Sequence, residues 1–432
     1  VHTTLDRSLQ RAAERALDAV VERSAPKSAT AVVIDVDTGD ILALANAPDF
    51  NPNAVDADPA PRRNHAVQDW FEPGSVMKPF TFAAAIDAGI VDEDTLIDCE
   101  AGYWRVAGGR VRDDHPKSVI TATEVMKYSS NIGSAKMALE LGPEVFLDSL
   151  RAFGFGQRTG VPLPGELAGV VRHPDRIRSI ELANTGFGQG LTVTAMQLAM
   201  GIAAIANEGV LMRPRLITQV TDADGLPEWA QEPVRVRRVV SADAAAQVGR
   251  MMQSVMEDGG TGRAGRVSGY AVAGKTGTAQ KAIDGRYGEG RVSSFVGFLP
   301  ADDPEVAIVV MVDEPSKGSR YGGTVAGPAF ADIGAAAMRI LGIPADPALL
   351  PDPDAPDDDE AAVADVDEPT LYWDGGGWTA PDLVGMPLRD VFASVQGAGL
   401  ALTVEGSGMA VSQQPPPGTS LAPGDALHVV FR

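Results

Sequence analysis

Two polar side chains stand three residues apart in Phe71-Glu72-Pro73-Gly74-Ser75-Val76-Met77-Lys78-Pro79-Phe80, directly after a Pro-Gly turn and at the entry to an apolar run. On a helix that spacing brings Ser75 and Lys78 onto one face. A hydroxyl at a helix N-terminus has backbone N–H groups and the positive dipole end beside it, which suit the oxyanion formed when the hydroxyl attacks a carbonyl. A lysine desolvated enough to be neutral takes the hydroxyl proton. The chemistry is nucleophilic acyl transfer. Alone, however, the pair is a common accident in a chain of 432 residues, so its neighbours must supply the specificity.

Lys127-Tyr128-Ser129-Ser130-Asn131-Ile132-Gly133 puts Ser129 and Asn131 on a polar break between two helical runs, where an ordinary helix-capping Ser/Asn cluster is the competing reading. Gly274-Lys275-Thr276-Gly277-Thr278-Ala279 closes a strand-like run. A cation, two hydroxyls and a glycine on a strand edge suit a substrate that lies alongside the strand and ends in a carboxylate, with Gly277 leaving room for close approach. The rival for Gly-Lys-Thr is a phosphate loop, which calls for more glycines and a helix after Lys-Thr. Phe71 and Phe80 read as core, as do Met126 and Met137, and His115 in Asp113-Asp114-His115-Pro116 reads as a loop residue.

These residues need elements to hold them. Apolar residues recur at Leu5, Leu9, Ala13, Leu17 and Val20, one face of a helix that stops near Ser24-Ala25-Pro26. Apolar runs over 31–36 and 41–45, joined by Asp37-Thr38-Gly39-Asp40, predict a hairpin beneath it. Residues 80–209 read as mostly helical and Ala-rich, an inserted lobe. Strand patterns return at 270–279, 294–299 and 306–312, and a helix follows over 328–341. The order predicts an α+β domain whose sheet is assembled from both ends of the sequence.

After Pro344 the composition changes. Residues 351–368 are dominated by Asp, Glu, Pro and Ala without Lys or Arg, which predicts an extended, self-repelling spacer. Order resumes beyond Trp378, with a helix over 388–398 and strands over 400–404 and 427–431, a small α+β module near the lower size limit for folding alone. The net charge of −22 repels nucleic acid. The single Cys99 forms no intrachain disulfide, and the five histidines show no metal-ligand spacing, so neither a metal nor a cofactor is expected. No run of about 18 apolar residues occurs, and the first residues carry neither an initiator Met nor a signal peptide.

Ser-x-x-Lys, Ser-x-Asn and Lys-Thr-Gly in this order resemble the penicillin-binding protein and serine β-lactamase superfamily. Residues 35–52 resemble the entry hairpin of its class B transpeptidases. Asn184-Thr185-Gly186-Phe187-Gly188-Gln189-Gly190, with Thr194 and Gln197, resembles their helical-lobe segment, and Ser293-Ser294-Phe295-Val296-Gly297 the strand beside Lys-Thr-Gly. The resemblance covers nearly all of residues 3–342. It implies an antiparallel sheet flanked by helices plus a helical lobe, Ser75 as acylated nucleophile, Lys78 as its base, Ser129 passing a proton to the leaving group, and Asn131 holding the substrate amide and orienting Lys78. Lys275, Thr276 and Thr278 would bind the terminal carboxylate beside Gly277, and the backbone N–H groups of Ser75 and Thr278 would form the oxyanion hole. The tail from Pro381 to Arg432 resembles a PASTA module through Pro381-Asp382-Leu383-Val384-Gly385-Met386, Gly399-Leu400 and Gln413-Gln414-Pro415-Pro416-Pro417-Gly418-Thr419. Such modules are described as muropeptide or β-lactam binders, and a structural or protein-docking role competes with that for one copy.

The expected organisation is a transpeptidase domain over 1–343, an acidic linker over 344–377 and the PASTA-like module over 378–432. The expected activity is D,D-transpeptidation of peptidoglycan stem peptides, inhibited covalently by β-lactams. The expected setting is the extracytoplasmic face of a bacterial plasma membrane, held by an N-terminal anchor upstream of Val1, among divisome or elongasome proteins that include a glycosyltransferase. The same motifs would serve a β-lactamase or D,D-carboxypeptidase, for which Glu181 in Glu181-Leu182-Ala183-Asn184 faintly resembles a deacylating base, or a sensor acylated by penicillin.

Overall fold

The computed structural model describes residues 1–51, 53, 62–106, 108–283 and 286–350, and in the tail 372–373, 378–380, 383, 384, 386, 388, 391, 392, 401–416, 419–422 and 425–432. The expected spacer over 351–368 and most of the helix expected over 388–398 lie outside these residues. The chain divides into two units, Val1–Pro356 and Asp357–Arg432.

Helix α1 (Arg7–Ser24) starts where the Asp6 side chain accepts from the N–H groups of Ser8 and Leu9, two residues after the first apolar position of its stripe. It buries Leu9, Ala13, Ala16, Leu17 and Val20. The hairpin follows as β1 (Ser28–Asp35) and β2 (Ile41–Ala47). Three further strands, β3 (Ala273–Ile283), β4 (Arg286–Leu299) and β5 (Val306–Asp313), join them in one antiparallel sheet of order β3-β4-β5-β1-β2. β3 and β4 are longer than the apolar pattern suggests, because their hairpin end is paired through polar residues such as Gln280 and Arg291.

Both faces of this sheet are covered, which is why β1 reads as an unbroken apolar run. Ala29, Ala31 and Val33 face α1 and the C-terminal helix α8, while Val32 and Ile34 belong to the core shared with the helical lobe. Each such buried Val or Ile contributes about 1.5–3 kcal/mol. Helix α8 (Gly322–Leu341) begins six residues before the expected start, with Pro328 inside it.

The lobe supplies α2 (Lys78–Asp87), α3 (Ala122–Lys127), α4 (Asn131–Ala152), α5 (Ser179–Thr185), α6 (Ala195–Ala206) and α7 (Ala242–Ser254). Phe80, Met126 and Met137 are buried there, and Phe71 is 8% exposed. The mostly helical expectation misses two short two-stranded pieces, Tyr103–Val106 with Gly109–Arg112, which packs on α4 and α5, and Leu96–Asp98 with Val119–Thr121, whose Ile97 and Ile120 join the core that holds Val125 and Met126 of α3; both are stabilised by packing rather than by a long alternating pattern. Residues 344–350 are not spacer: the Asp346 N–H donates to Gly269 O (2.8 Å) and the Gly269 N–H to Leu349 O (3.1 Å).

In the second unit, Ala401–Glu405 pairs in parallel with Ala426–Phe431, which pairs antiparallel with Ala410–Gln414. Leu427, Val429 and Phe431 alternate into a small core with Leu383, Val391 and Leu421. Among the described residues no helix is long and apolar enough to cross a membrane, and no group of three or more His, Cys, Asp or Glu side chains is placed to hold a metal ion.

Candidate active site

Ser75 lies in a 3-10 turn, Gly74–Met77, that runs directly into α2. The turn is clamped from the lobe. Phe71 exchanges backbone hydrogen bonds with Val193, the Gly190 N–H donates to the Glu72 carboxylate (3.0 Å), and the Gly74 N–H donates to Gly188 O (3.0 Å). Gly188 has φ +86°, and a Cβ there would lie 2.0 Å from Gly74 O. The 184–190 segment is thus the support of the Ser75 turn. Thr194 and Gln197 act next to it as a buried capping box for α6, with the Gln197 amide also donating to Gln157 O (2.6 Å) and Ala168 O (2.7 Å).

Ser129 and Asn131 sit between α3 and α4, as the polar break predicts, and Ser129 is held at φ +59°, a strained backbone for a non-glycine residue. Ser130, not Ser129, is the helix cap, accepting from the Gly133 N–H (3.0 Å). That division of labour leaves the Ser129 hydroxyl free to face the lysines. What enforces it is Asp113. Its carboxylate accepts from the Ser130 hydroxyl (2.6 Å) and from the N–H groups of Asn131 (2.6 Å) and Ile132 (2.9 Å). Asp113 reads in sequence only as part of a loop, and nothing local to that loop marks its partners on α4.

Lys78 is fully buried, and its ammonium donates to the Ser129 carbonyl, to Ser129 Oγ (3.0 Å) and to Asn131 Oδ1 (3.0 Å). Lys275, also fully buried, donates to the same Ser129 Oγ (3.0 Å) and to Thr276 O (3.1 Å). Two cations sharing one oxygen stand at most about 6 Å apart, where their repulsion is about 3 kcal/mol at an effective dielectric near 20, enough to favour loss of one proton. Burial pulls the Lys78 pKa down to about 8, partly offset by Asp113 and Asp114. Burial first and then Lys78 hold Lys275 well below its ordinary value. A hydroxyl accepts two hydrogen bonds and donates one, so Ser129 keeps its own proton while accepting from both lysines.

β3 is an edge strand of the sheet, with backbone groups on its outer side open to an added peptide. Its side chains divide by face. Lys275 points to Ser129, whereas the Thr276 hydroxyl meets that of Thr261 (2.9 Å) and Thr278 Oγ1 accepts from the Gly322 N–H (2.9 Å) at the start of α8. Thr276 and Thr278 therefore stand together beside the positive end of a 20-residue helix, a setting suited to a carboxylate. Gly277 is needed for packing: a Cβ there would lie 2.5 Å from Ser294 Oγ and 2.8 Å from Val76 Cγ1, inside the contact between β3 and the Ser75 turn.

The phosphate-loop rival fails on structure rather than on glycine count. Gly269 and Gly274-Lys275-Thr276 do have the bare Gly-x-x-x-x-Gly-Lys-Thr spacing, but Lys275 is mid-strand, no helix follows it, and its ammonium is buried on Ser129. Glu181 is occupied elsewhere. Its carboxylate closes the cap of α5 and pairs with Arg178 (3.0 Å) and Arg172 (2.9 Å), and the Arg178 hydrogen bonds hold its pKa down to about 2. His115 is exposed.

Residues 29–335 match the family model of the penicillin binding protein transpeptidase domain, and residues 379–431 that of the PASTA domain. The chain is 39% identical over 342 residues to the probable peptidoglycan D,D-transpeptidase PenA of Neisseria gonorrhoeae, covering 79% of this chain and 57% of that protein. It is 36% identical over 345 residues to the peptidoglycan D,D-transpeptidase FtsI of Escherichia coli, covering 79% of this chain and 56% of that one. With the stage V sporulation protein D of Bacillus subtilis the identity is 32% over 432 residues, 99% of this chain and 64% of the relative. The chain thus spans less than two thirds of each of these relatives. Among solved structures, the transpeptidase domain of Burkholderia pseudomallei penicillin-binding protein 3 superposes with a TM-score of 0.71 at 36% identity, covering 79% of this chain and 97% of that one.

Proposed function

Because the chain belongs to the penicillin-binding protein transpeptidase family, we propose that it is a peptidoglycan D,D-transpeptidase working through an acyl-enzyme on Ser75. The observation that carries this reading is the convergence of Lys78, Ser129, Asn131 and Lys275 in one buried hydrogen-bond network next to the Ser75 turn.

A stem peptide ending in D-Ala-D-Ala lies along β3 with its carboxylate at Thr276 and Thr278 beside the start of α8, Lys275 remaining on Ser129 on the other face of the strand, and its amide on Asn131. Neutral Lys78 takes the Ser75 proton as Oγ attacks the penultimate carbonyl carbon, and the N–H groups of Ser75 and Thr278 receive the oxyanion. Ser129 hands its proton to the departing D-Ala nitrogen and is reprotonated from the lysine pair. An amine of a neighbouring stem then attacks the ester, returns the proton along the same path and releases Ser75. A β-lactam acylates Ser75 by the same first step but keeps its leaving nitrogen tethered.

The protein acts at the extracytoplasmic face of the bacterial plasma membrane, where its substrate is, in company with cell-wall synthesis proteins including a glycosyltransferase. The PASTA-like module serves to dock cell-wall material or a protein partner.

None of the residues assigned above supplies a base for water, so deacylation is slow. A barrier about 4 kcal/mol above a base-assisted one lengthens the acyl lifetime roughly a thousandfold. Intact-protein mass spectrometry after a stoichiometric pulse of benzylpenicillin should show a one-drug adduct persisting for many minutes, absent in Ser75→Ala. Return to the free mass within seconds, with consumption of excess drug, would make the protein a β-lactamase instead.

A further inference from the structure

The two-stranded piece Tyr103–Val106 with Gly109–Arg112 has one face without an assigned purpose. Its register pairs Tyr103 with Arg112, Trp104 with Val111, Arg105 with Arg110 and Val106 with Gly109. Alternation therefore sends Trp104, Val106 and Val111 to one face, where they pack on Ile132, Ala135, Ala183 and Phe187 of the lobe. Tyr103, Arg105, Arg110 and Arg112 share the other, with the Arg112 guanidinium 5.2 Å from the centre of the Tyr103 ring.

Three features set this face apart. Arg105 and Arg110 are directly opposite one another, an arrangement that destabilises a strand pair when nothing anionic lies between. Both are exposed, and among the described residues neither makes an ion pair with a carboxylate, although the chain carries a net charge of −22. The nearby Glu100 is engaged by Lys136 (2.7 Å). The face is also continuous with the active site, since Arg112 O accepts from the Asn131 amide (2.9 Å), whose Oδ1 accepts from Lys78 (3.0 Å). The Arg105 and Arg110 pair lies two residues further along, about 7 Å at roughly 3.4 Å per residue.

We propose that this arginine face binds a free carboxylate on the donor peptide, carried by the residue immediately upstream of the one acylated on Ser75. The inference rests on the transpeptidase reading and adds a specificity element to it. Asn131 holds the amide on the upstream side of the reacting carbonyl, and an extended peptide leaving it advances by the same rise per residue as the hairpin. A guanidinium pair with no carboxylate partner among the described residues offers the bidentate donors that a substrate carboxylate accepts, and it reverses locally the repulsion between an acidic protein and an acidic ligand.

The test compares two synthetic D-Ala-D-Ala stem peptides that differ only in whether the residue before the acylated D-alanine carries a free carboxylate or its carboxamide. Acylation is followed by D-Ala release from the full chain and from its Arg105→Gln/Arg110→Gln variant. The wild type should prefer the acid over the amide by about tenfold in kcat/KM, and the variant should bring that ratio close to one. A ratio that is the same in both proteins, or a wild-type preference for the amide, overturns the proposal. Because it is a ratio within one protein, partial unfolding of the variant does not alter it. Benzylpenicillin labelling of the wild type separates the two levels: no Ser75 adduct there would defeat the transpeptidase reading, whereas normal labelling with an unchanged ratio defeats this inference alone.

Discussion

In the proposed mechanism Lys78 is a cation when it donates to three oxygens and a base when Ser75 reacts, and its burial brings the exchange between these states to about pH 8. Since the neutral amine is the reactive form, the rate of benzylpenicillin acylation should climb as pH rises through about 8 and level off above it. A stopped-flow profile flat from pH 6 to 10 would remove Lys78 as the base. Asp113 enters the same balance, because its charge raises the Lys78 pKa while its oxygens hold the Ser129 turn. Asp113→Asn removes a charge that favours the ammonium, so the profile's midpoint should move to lower pH. The plateau rate should fall as well, as the turn loses hydrogen bonds to a charged acceptor worth about 1.5–3 kcal/mol each. A variant with a lower plateau but an unmoved midpoint would leave Asp113 a structural role only.

Two glycines join the elements of the site. At Gly277 an added methyl would press on Ser294 Oγ and Val76 Cγ1, and at Gly188 it would strike the Gly74 backbone in a conformation that L-residues avoid. Overpacking of the first kind costs about 1–3 kcal/mol. Gly277→Ala should therefore fold with a lowered melting temperature and acylate more slowly, since β3 and the Ser75 turn are pushed apart. Adding Ser294→Ala relieves the shortest of these contacts, and the double variant should recover part of the loss in both thermal melts and acylation rate. Gly188→Ala meets backbone, which cannot rotate away, and should be the more damaging change. Equal stability of Gly188→Ala and wild type would show that the 184–190 segment does not support the nucleophile turn.

At the scale of the molecule, the first unit carries all the residues to which the proposed acyl chemistry is assigned, and its last described residues, 344–350, dock on Gly269. A chain ending at Leu350 should acylate at the full-length rate. One ending at Gly342 loses the hydrogen bonds of Asp346 and Leu349 with Gly269 and should melt at a lower temperature with its chemistry intact. A large drop in acylation for the chain ending at Leu350 would mean that the second unit shapes the site.

The sequence by itself determined which residue types were available for acyl transfer and on what kinds of element they stood. A serine and a lysine three apart share a helix face, a polar break separates two helices, and a glycine-punctuated run of small residues makes a strand edge, all through local geometry. The α1 stripe and the apolar runs of β1, β2 and β5 were legible for the same reason. Only the tertiary structure decided that Ser129 Oγ lies between Lys78 and Lys275, that Asp113 reaches across to hold Ser130 and Asn131 in place, and that Thr276 and Thr278 stand at the start of α8. It likewise turned Gly277 from a matter of substrate clearance into one of packing. These are contacts between segments distant in the chain, and their physical content, desolvation of two lysines and mutual repulsion across one oxygen, exists only once burial has brought them together.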